Sequence, residues 1–279
     1  MDEIEESDYL VIITSVLGIN LQYPAYRVLY FVREPDEFRF VQEWQRILVE
    51  RGQVRYYPVA DSYMLQHWTI MKTYDELFRV PFPLKSRDLS WVTSNYGDGT
   101  QADTIQVLLG HKLRMDFLKR FLERYEIGWH LYGRGLDANA IYRCPCYRGE
   151  LFDKWDGLEN YRYTLAFENS WQKGYFSEKF CDAILAGCMP IYWGCPNLEE
   201  FFPEGSFIRL DITAPDAPQQ VIDIVHTDYR ERNLAALEEA KELILNRYNV
   251  WPTLHRILNE VQASGPADKP RRLLRLEAE

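Results

Sequence analysis

No stretch of the 279 residues stays apolar long enough to cross a bilayer, which takes about 20 residues. Low-complexity tracts and internal repeats are also missing. The opening residues, MDEIEESDYL, lack the basic start and apolar run of a secretory leader. Basic residues are in the minority, 32 against 42 acidic ones for a net charge of −10. That balance argues against a general nucleic-acid face, which needs a basic surface, although a nucleotide-sized anion needs only a few local cations. Cysteine is sparse and odd in number: Cys144, Cys146, Cys181, Cys188 and Cys195. The last three fall in apolar patterns, which reads as reduced thiols in a cytoplasmic protein. Cys-Pro-Cys at 144–146 has no second pair and no well-placed histidine, so no metal centre is expected.

What is present is a globular chain, 47% hydrophobic and 15% aromatic. YLVIIT and YRVLYFV read as buried strands, rich in β-branched and aromatic residues. DEFRFVQEWQRILVERG spaces Phe40, Trp44, Ile47 and Leu48 as a helix stopped by Gly52, and VRYYPVA follows as a strand. VPFPLKSRD, proline-punctuated, reads as the connection between a domain of residues 1–86 and a second of residues 87–279. The second opens with the strand LSWVTSN, then a helix in HKLRMDFLKRFLERY, then strands IGWHLYG, YRYTLAFEN and MPIYW, and closes with helices after residue 216. Strands alternating with helices imply parallel sheets in an α/β fold. The tail DKPRRLLRLEAE, basic and apolar by turns, reads as a solvated end or as a peripheral contact with the inner membrane.

The most informative stretch is AFENSWQKGYFSEKFCDAILAGCMPIYWGCPN, Ala166 to Asn197. Phe180, Ile184 and Cys188 recur as on a helix starting near Ser177, with Gly187 and Pro190 punctuating its end. Glu178 suits the first turn, where exposed N–H groups carry partial positive charge; Lys179 does not. A bound diphosphate would turn that lysine into a counter-ion, since phosphates sit at helix N-termini beyond the carboxyl ends of parallel strands. The bland reading pairs Lys179 with Glu178 or Asp182.

The blocks YRYTLAFENS, YFSEK and AILAGCMPIYWG, within Tyr161–Ile208, closely resemble the donor-binding signature of the α-1,3-fucosyltransferases, glycosyltransferase family 10. Phe176 and Ser177 depart slightly from the usual residues. The resemblance implies a GT-B-type α/β architecture, two Rossmann-like domains with a cleft between them, the second holding GDP-fucose and the first the acceptor. It further implies that Lys179 contacts the diphosphate, that Glu178 holds donor hydroxyls, and that Tyr175 and Asn169 line the donor pocket. Glu168 and Asn169 read otherwise as a strand end satisfying nearby backbone groups.

The family places an arginine after a V-S-N strand end to neutralise the leaving diphosphate. Arg114 stands there in this sequence, beyond the insertion YGDGTQADTIQVLLG, with Arg134 of YGRG as runner-up. Arginine suits the task because its planar fork grips phosphate oxygens in pairs. The family's base is a glutamate after an early strand, which Glu34 of VREPDE matches, with Asp36 and Glu37 as competitors. His67 and Trp68, in a segment like the family's W-T-x-x-Y-x-x-D, are candidates to face the acceptor.

The expected activity is therefore inverting transfer of L-fucose from GDP-fucose to a hydroxyl of GlcNAc or glucose in a glycan or glycolipid, with GDP as product and no obligatory metal or cofactor. The resemblance covers nearly the whole chain, is weakest in the first domain, and lacks the membrane anchor of animal members. The chain therefore looks like a bacterial, cytoplasmic one. The alternatives are the same scaffold with another nucleotide-sugar donor, or a non-catalytic nucleotide-sugar-binding protein.

Overall fold

Two-residue alternation decides how the first sheet is covered. In the computed structural model, β1 (Leu10–Ile13), β2 (Leu21–Pro24) and β3 (Val28–Phe31) precede α1 (Arg39–Gln45), which runs on as a wider π-helical turn over Arg46–Arg51, and then β4 (Arg55–Tyr57). The structure describes residues 8–14, 21–35, 38–51, 54–61, 67–79, 81–95, 105–125, 127–136, 144–263 and 273–276. β1, β3 and β4 pair in parallel, with β3 in the middle. All four residues of β3 are buried, as a strand covered on both faces must be. Val28 and Tyr30 pack with Val41 and Leu48, while Leu29 and Phe31 pack with Ile257 and Val261 of the C-terminal helix Val250–Ala263. Successive side chains thus serve opposite helical layers.

These elements belong to a first compact unit, residues 1–66, 172–175 and 248–279; a second comprises 67–171 and 176–247. In the second unit the chain runs α2 (Tyr74–Arg79), β5 (Arg87–Val92), α3 (Ile105–Leu122), β6 (Trp129–Tyr132), β7 (Tyr161–Phe167), α4 (Glu178–Leu185), β8 (Met189–Trp193), β9 (Ile208–Arg209), α5 (Ala217–Val225), α6 (Tyr229–Arg232) and α7 (Leu234–Asn246). The helix Val250–Ala263 is then α8, and β10 (Leu273–Leu276) pairs antiparallel with β2. The second sheet is wholly parallel, in the order β6-β5-β7-β8-β9. Its core is aromatic: Trp91 and Phe167 project from neighbouring strands onto Phe117 of α3, edge to face. The expected α/β class, with parallel Rossmann-like sheets, is what each unit shows on its own.

Several expectations change. The division falls after Gln66 and not after 86, because the proline-punctuated segment is packed and not a linker. Lys85 donates to the carbonyls of Glu159 (2.8 Å) and Ala186 (2.5 Å), and Phe82 lies against Gly187. The closing helix α8 belongs to the first unit, where it covers β3. Part of the basic tail is strand β10. Cys181, Cys188 and Cys195 are free and buried, as their apolar patterns implied, whereas Cys144 and Cys146 are joined in a disulfide. Helix α3 starts at Ile105, inside the stretch read as an insertion. Pro190 does not punctuate α4 but is the second residue of β8. Among the described residues no helix is long and apolar enough to cross a membrane.

Helix α4 ends as its glycine dictates. Gly187 has φ +72°; its N–H reaches Ile184 O (2.8 Å) and the Cys188 N–H reaches Ala183 O (2.9 Å), the paired bonds of a Schellman cap. A Cβ on Gly187 would lie 2.6 Å from the Phe82 ring. Gly187→Ala is expected to cost at least about 1–2 kcal/mol in left-handed backbone strain alone. A melting curve should fall by roughly 2–4 °C per kcal/mol at this size; an unchanged midpoint would contradict this account of the cap.

Candidate functional site

The chain leaves β5 through α3 to β6 on one side, then returns to β7 on the other side of β5. That reversal makes the β5–β7 boundary a topological switch point, the place beyond the carboxyl ends of the strands where open α/β sheets bind ligands. Glu168 and Asn169 follow β7 directly, and Thr93 follows β5. Helix α4 begins near by, through a chain of contacts anchored on Glu168.

Glu168 is fully buried. It accepts the backbone N–H of Ser177 (2.7 Å) and its hydroxyl (2.5 Å), with the Tyr192 hydroxyl at 3.5 Å. Ser177 is the N-cap of α4, and its Oγ accepts from the backbone N–H (3.3 Å) and the ammonium (3.2 Å) of Lys179. Lys179 also pairs with Glu178 at 2.9 Å and stands 3.8 Å from Glu168. Its side chain is 17% exposed. Burial works against this ammonium, but Glu178 and Glu168 more than offset it and hold its pKa above the ordinary value. Burial pushes Glu178 up, yet Lys179 and Lys154 outweigh it and bring its pKa down to about 2. Glu168 goes the other way, raised by burial. Asp182 is not Lys179's partner: it is bound by Lys154 (2.9 Å) and by Thr69 through its N–H (2.9 Å) and hydroxyl (2.6 Å).

Arg114, the predicted second cation, reaches the same place from α3. It is 3% exposed; one terminal nitrogen lies 2.6 Å from His111 Nδ1 and the other donates to the Phe167 carbonyl at 3.4 Å, where β7 ends. Burial first, then Arg114 and Lys179, pull the His111 pKa down to about 4. Arg114 likewise acts on Lys179, so the two cations share one environment. Space for α3 here depends on Gly110, where a Cβ would meet the Asn169 carbonyl at 1.7 Å. For two buried polar atoms at these strand ends, Asn169 Oδ1 and Thr93 Oγ1, no hydrogen-bond partner is found among the described residues, an arrangement that costs about 1–3 kcal/mol each unless a ligand completes it.

The remaining predicted residues divide. Glu34 lies in the first unit, half-buried, three residues past the end of central strand β3 and followed by buried Pro35. Asp36 and Glu37 lie outside the described residues. Tyr175 does not line a pocket in the second unit: it is 2% exposed and packs with Ile12, Val28 and Tyr30 in the first unit's core. Arg134 is on the surface, its side chain 76% exposed and 3.7 Å from Glu150, so it does not join Arg114. His67 and Trp68 fall in the second unit; the Trp68 indole N–H is used on the Lys72 carbonyl (2.8 Å). His111 and Thr93 were not foreseen. The signal for His111 was its position one turn before Arg114 on the same helix face. Among the described residues, no group of three or more His, Cys, Asp or Glu side chains is arranged to hold a metal ion.

The profile of glycosyltransferase family 10 (fucosyltransferase), C-terminal region, matches residues 82–230, more than half of the chain and all of the switch-point site just described. The chain belongs to this family. Among the relatives of this family 10 chain, mouse alpha-(1,3)-fucosyltransferase 7 is 32% identical over 134 residues, 47% of this chain and 28% of that protein. Helicobacter pylori alpha-(1,3)-fucosyltransferase FucT is 37% identical over 71 residues, 25% of this chain and 15% of that protein. The chain thus spans less than a third of either relative's length. A solved S. aureus TarM mutant, in complex with fondaparinux, alpha-GlcNAc-glycerol and UDP, shares the fold at TM-score 0.50 and 10% identity, covering 84% of this chain and 51% of that one.

The Glu178–Lys179 pair makes a pH prediction. A folded pKa of about 2 against an ordinary 4.5 gives stability that is fully present above pH 4.5 and is lost as pH falls through 2. Carbon-detected NMR should show Glu178 titrating near 2, and Lys179→Met should move that midpoint up. A midpoint at the ordinary value in the unmodified protein would remove the pair.

Proposed function

We propose that the chain transfers L-fucose from GDP-fucose to a hydroxyl of a glycan or glycolipid acceptor, O3 of a GlcNAc or glucose unit, with inversion. The observation that carries this reading is the convergence of buried Arg114 and Lys179 on the Ser177-capped end of α4 at the switch point. Membership of a fucosyltransferase family and the printed names of the curated relatives support the donor and the reaction class.

Derived from this chain's residues, the reaction runs as a single displacement. Glu34 takes the proton of the acceptor hydroxyl while that oxygen attacks the anomeric carbon on the face opposite GDP. The bond from that carbon to the β-phosphate oxygen breaks, and GDP leaves with both electrons. The developing charge is met by Arg114, Lys179 and the N–H groups of α4, so the leaving group needs no proton. Lys179 must exchange its Glu178 partner for the diphosphate, which frees that carboxylate to accept donor hydroxyls. Asn169, through its unpartnered Oδ1, is a second acceptor for them.

Glu34→Gln is expected to abolish transfer to a glycan panel of N-acetyllactosamine and lipopolysaccharide type while leaving GDP affinity within about threefold, because only the proton acceptor is lost. Retained turnover, or loss of GDP binding, would contradict the assignment. Transfer from GDP-mannose or a UDP-sugar in preference to GDP-fucose, read by NMR of the product, would move the chain to another donor.

A further inference from the structure

The amino ends of the second sheet carry a basic cluster that the donor reading leaves unused. Arg87 opens β5, Trp129 and His130 open β6, and Tyr161 opens β7. Thr93 and Asn169 lie past the other ends of β5 and β7, and the seven residues of β7 put about 20 Å between the two edges. Arg87, His130 and Tyr161 line a cavity of about 260 Å³, with Leu89 and Trp129 as apolar wall. Asp88 also lines it, but its carboxylate is engaged by Arg162 at 3.2 Å.

The His130 ring meets a guanidinium on each nitrogen, Arg87 at 3.1 Å from Nδ1 and Arg148 at 2.9 Å from Nε2. Arginine only donates, and a neutral imidazole has one lone pair, so the ring accepts from just one of them. The buried Tyr161 hydroxyl resolves this, lying 3.0 Å from Arg87, 2.5 Å from Nδ1 and 2.7 Å from the Tyr132 hydroxyl. Every donor is used when Nε2 accepts from Arg148, Nδ1–H and Arg87 donate to Tyr161, and Tyr161 donates to Tyr132. All the acceptors in this set are uncharged. Among the described residues neither arginine is in an ion pair. Glu150, two residues beyond Arg148, stands against Arg134 instead.

Two full positive charges thus face each other across a neutral ring, beside an open cavity. The contacts occupy one nitrogen of each guanidinium and leave the rest of both forks for oxygen atoms. Arg148 is steadied by its own backbone N–H, which donates to Leu131 O at 2.9 Å. We infer that this cavity is a second anion site, remote from the donor site, that takes the dianion of a phosphate monoester between Arg87 and Arg148. The inference stands independently of the donor reading. Burial first, then Arg148 and Arg87, hold the His130 pKa below its ordinary value, so the ring also reports on an anion placed beside it.

The test follows the His130 ring by NMR, its signals assigned by their loss in His130→Gln, while inorganic phosphate is added to the full chain with GDP in excess. A saturable shift is expected, absent with chloride at the same ionic strength. Arg87→Ala and Arg148→Ala should each weaken it roughly tenfold or more, the scale of a charged hydrogen bond. Arg87→Gln, which keeps a donor for Tyr161 but no charge, should lose as much as Arg87→Ala. A shift that chloride reproduces, or that never saturates, overturns the inference. So does one that GDP abolishes, which would place the anion at the donor site, or one that all the arginine variants leave unchanged. Sedimentation with phosphatidylcholine vesicles, with and without phosphatidic acid, separates the sources of the phosphate. Binding that needs phosphatidic acid and both arginines marks a lipid headgroup; a saturable phosphate shift without vesicle binding marks a soluble monoester, and either result upholds the site.

Discussion

The second unit is organised around bringing two positive charges into one nearly dry place. Arg114 and Lys179 repel each other there, and both lose hydration. The fold offsets this with a graded set of partners: an ionised carboxylate on Glu178, a buried one on Glu168, a neutral imidazole on His111 and a strand-end carbonyl. The switch point explains why the charges meet. α3 and α4 belong to the two crossovers that leave β5 and β7, so a residue on α3 and the first turn of α4 meet at the carboxyl ends of those strands.

The lysine that looks misplaced at a helix N-terminus follows from this. In the structure its charge is balanced by Glu178, the bland solution, and its ammonium also bonds the N-cap hydroxyl. A diphosphate would compete for an ammonium already paired, so on the proposed reading donor binding would exchange one anionic partner for another. That exchange would lower the net affinity but couple the diphosphate to the release of Glu178. The proposed roles also divide between the units: the groups proposed to hold the diphosphate lie on the second, and the carboxylate proposed as base lies past the central strand of the first.

Much of the second unit was legible in the sequence because its signals are local. The Ser177 cap, the Gly187 stop and the strands around Trp91, Phe167 and Tyr192 all follow from spacing and short motifs, whereas Arg114 was singled out by the family resemblance. What the sequence hid is long-range. Nothing in DKPRRLLRLEAE announces that Leu273–Leu276 pairs with Leu21–Pro24. Val80–Asp88 carries linker-like prolines, yet Phe82 and Lys85 make tertiary contacts that local composition cannot display. Tyr175 stands beside Ser177 in the sequence but belongs to the core of the other unit. Arg134, the runner-up to Arg114, differs from it in burial, which the sequence does not display. His111, one turn from Arg114, was visible as a neighbour but not as its hydrogen-bond partner, because that contact depends on side-chain placement in the fold.

The central claim is that this switch-point site recognises a diphosphate and not merely a nucleoside. The most direct measurement is the ratio of GDP to GMP affinity for the unmodified chain and for Lys179→Ala. The account predicts that the unmodified protein prefers GDP by at least roughly tenfold, one charged contact or more, and that the lysine variant loses most of that preference. Equal affinity for the two nucleotides, or a preference untouched by removing Lys179, would contradict it.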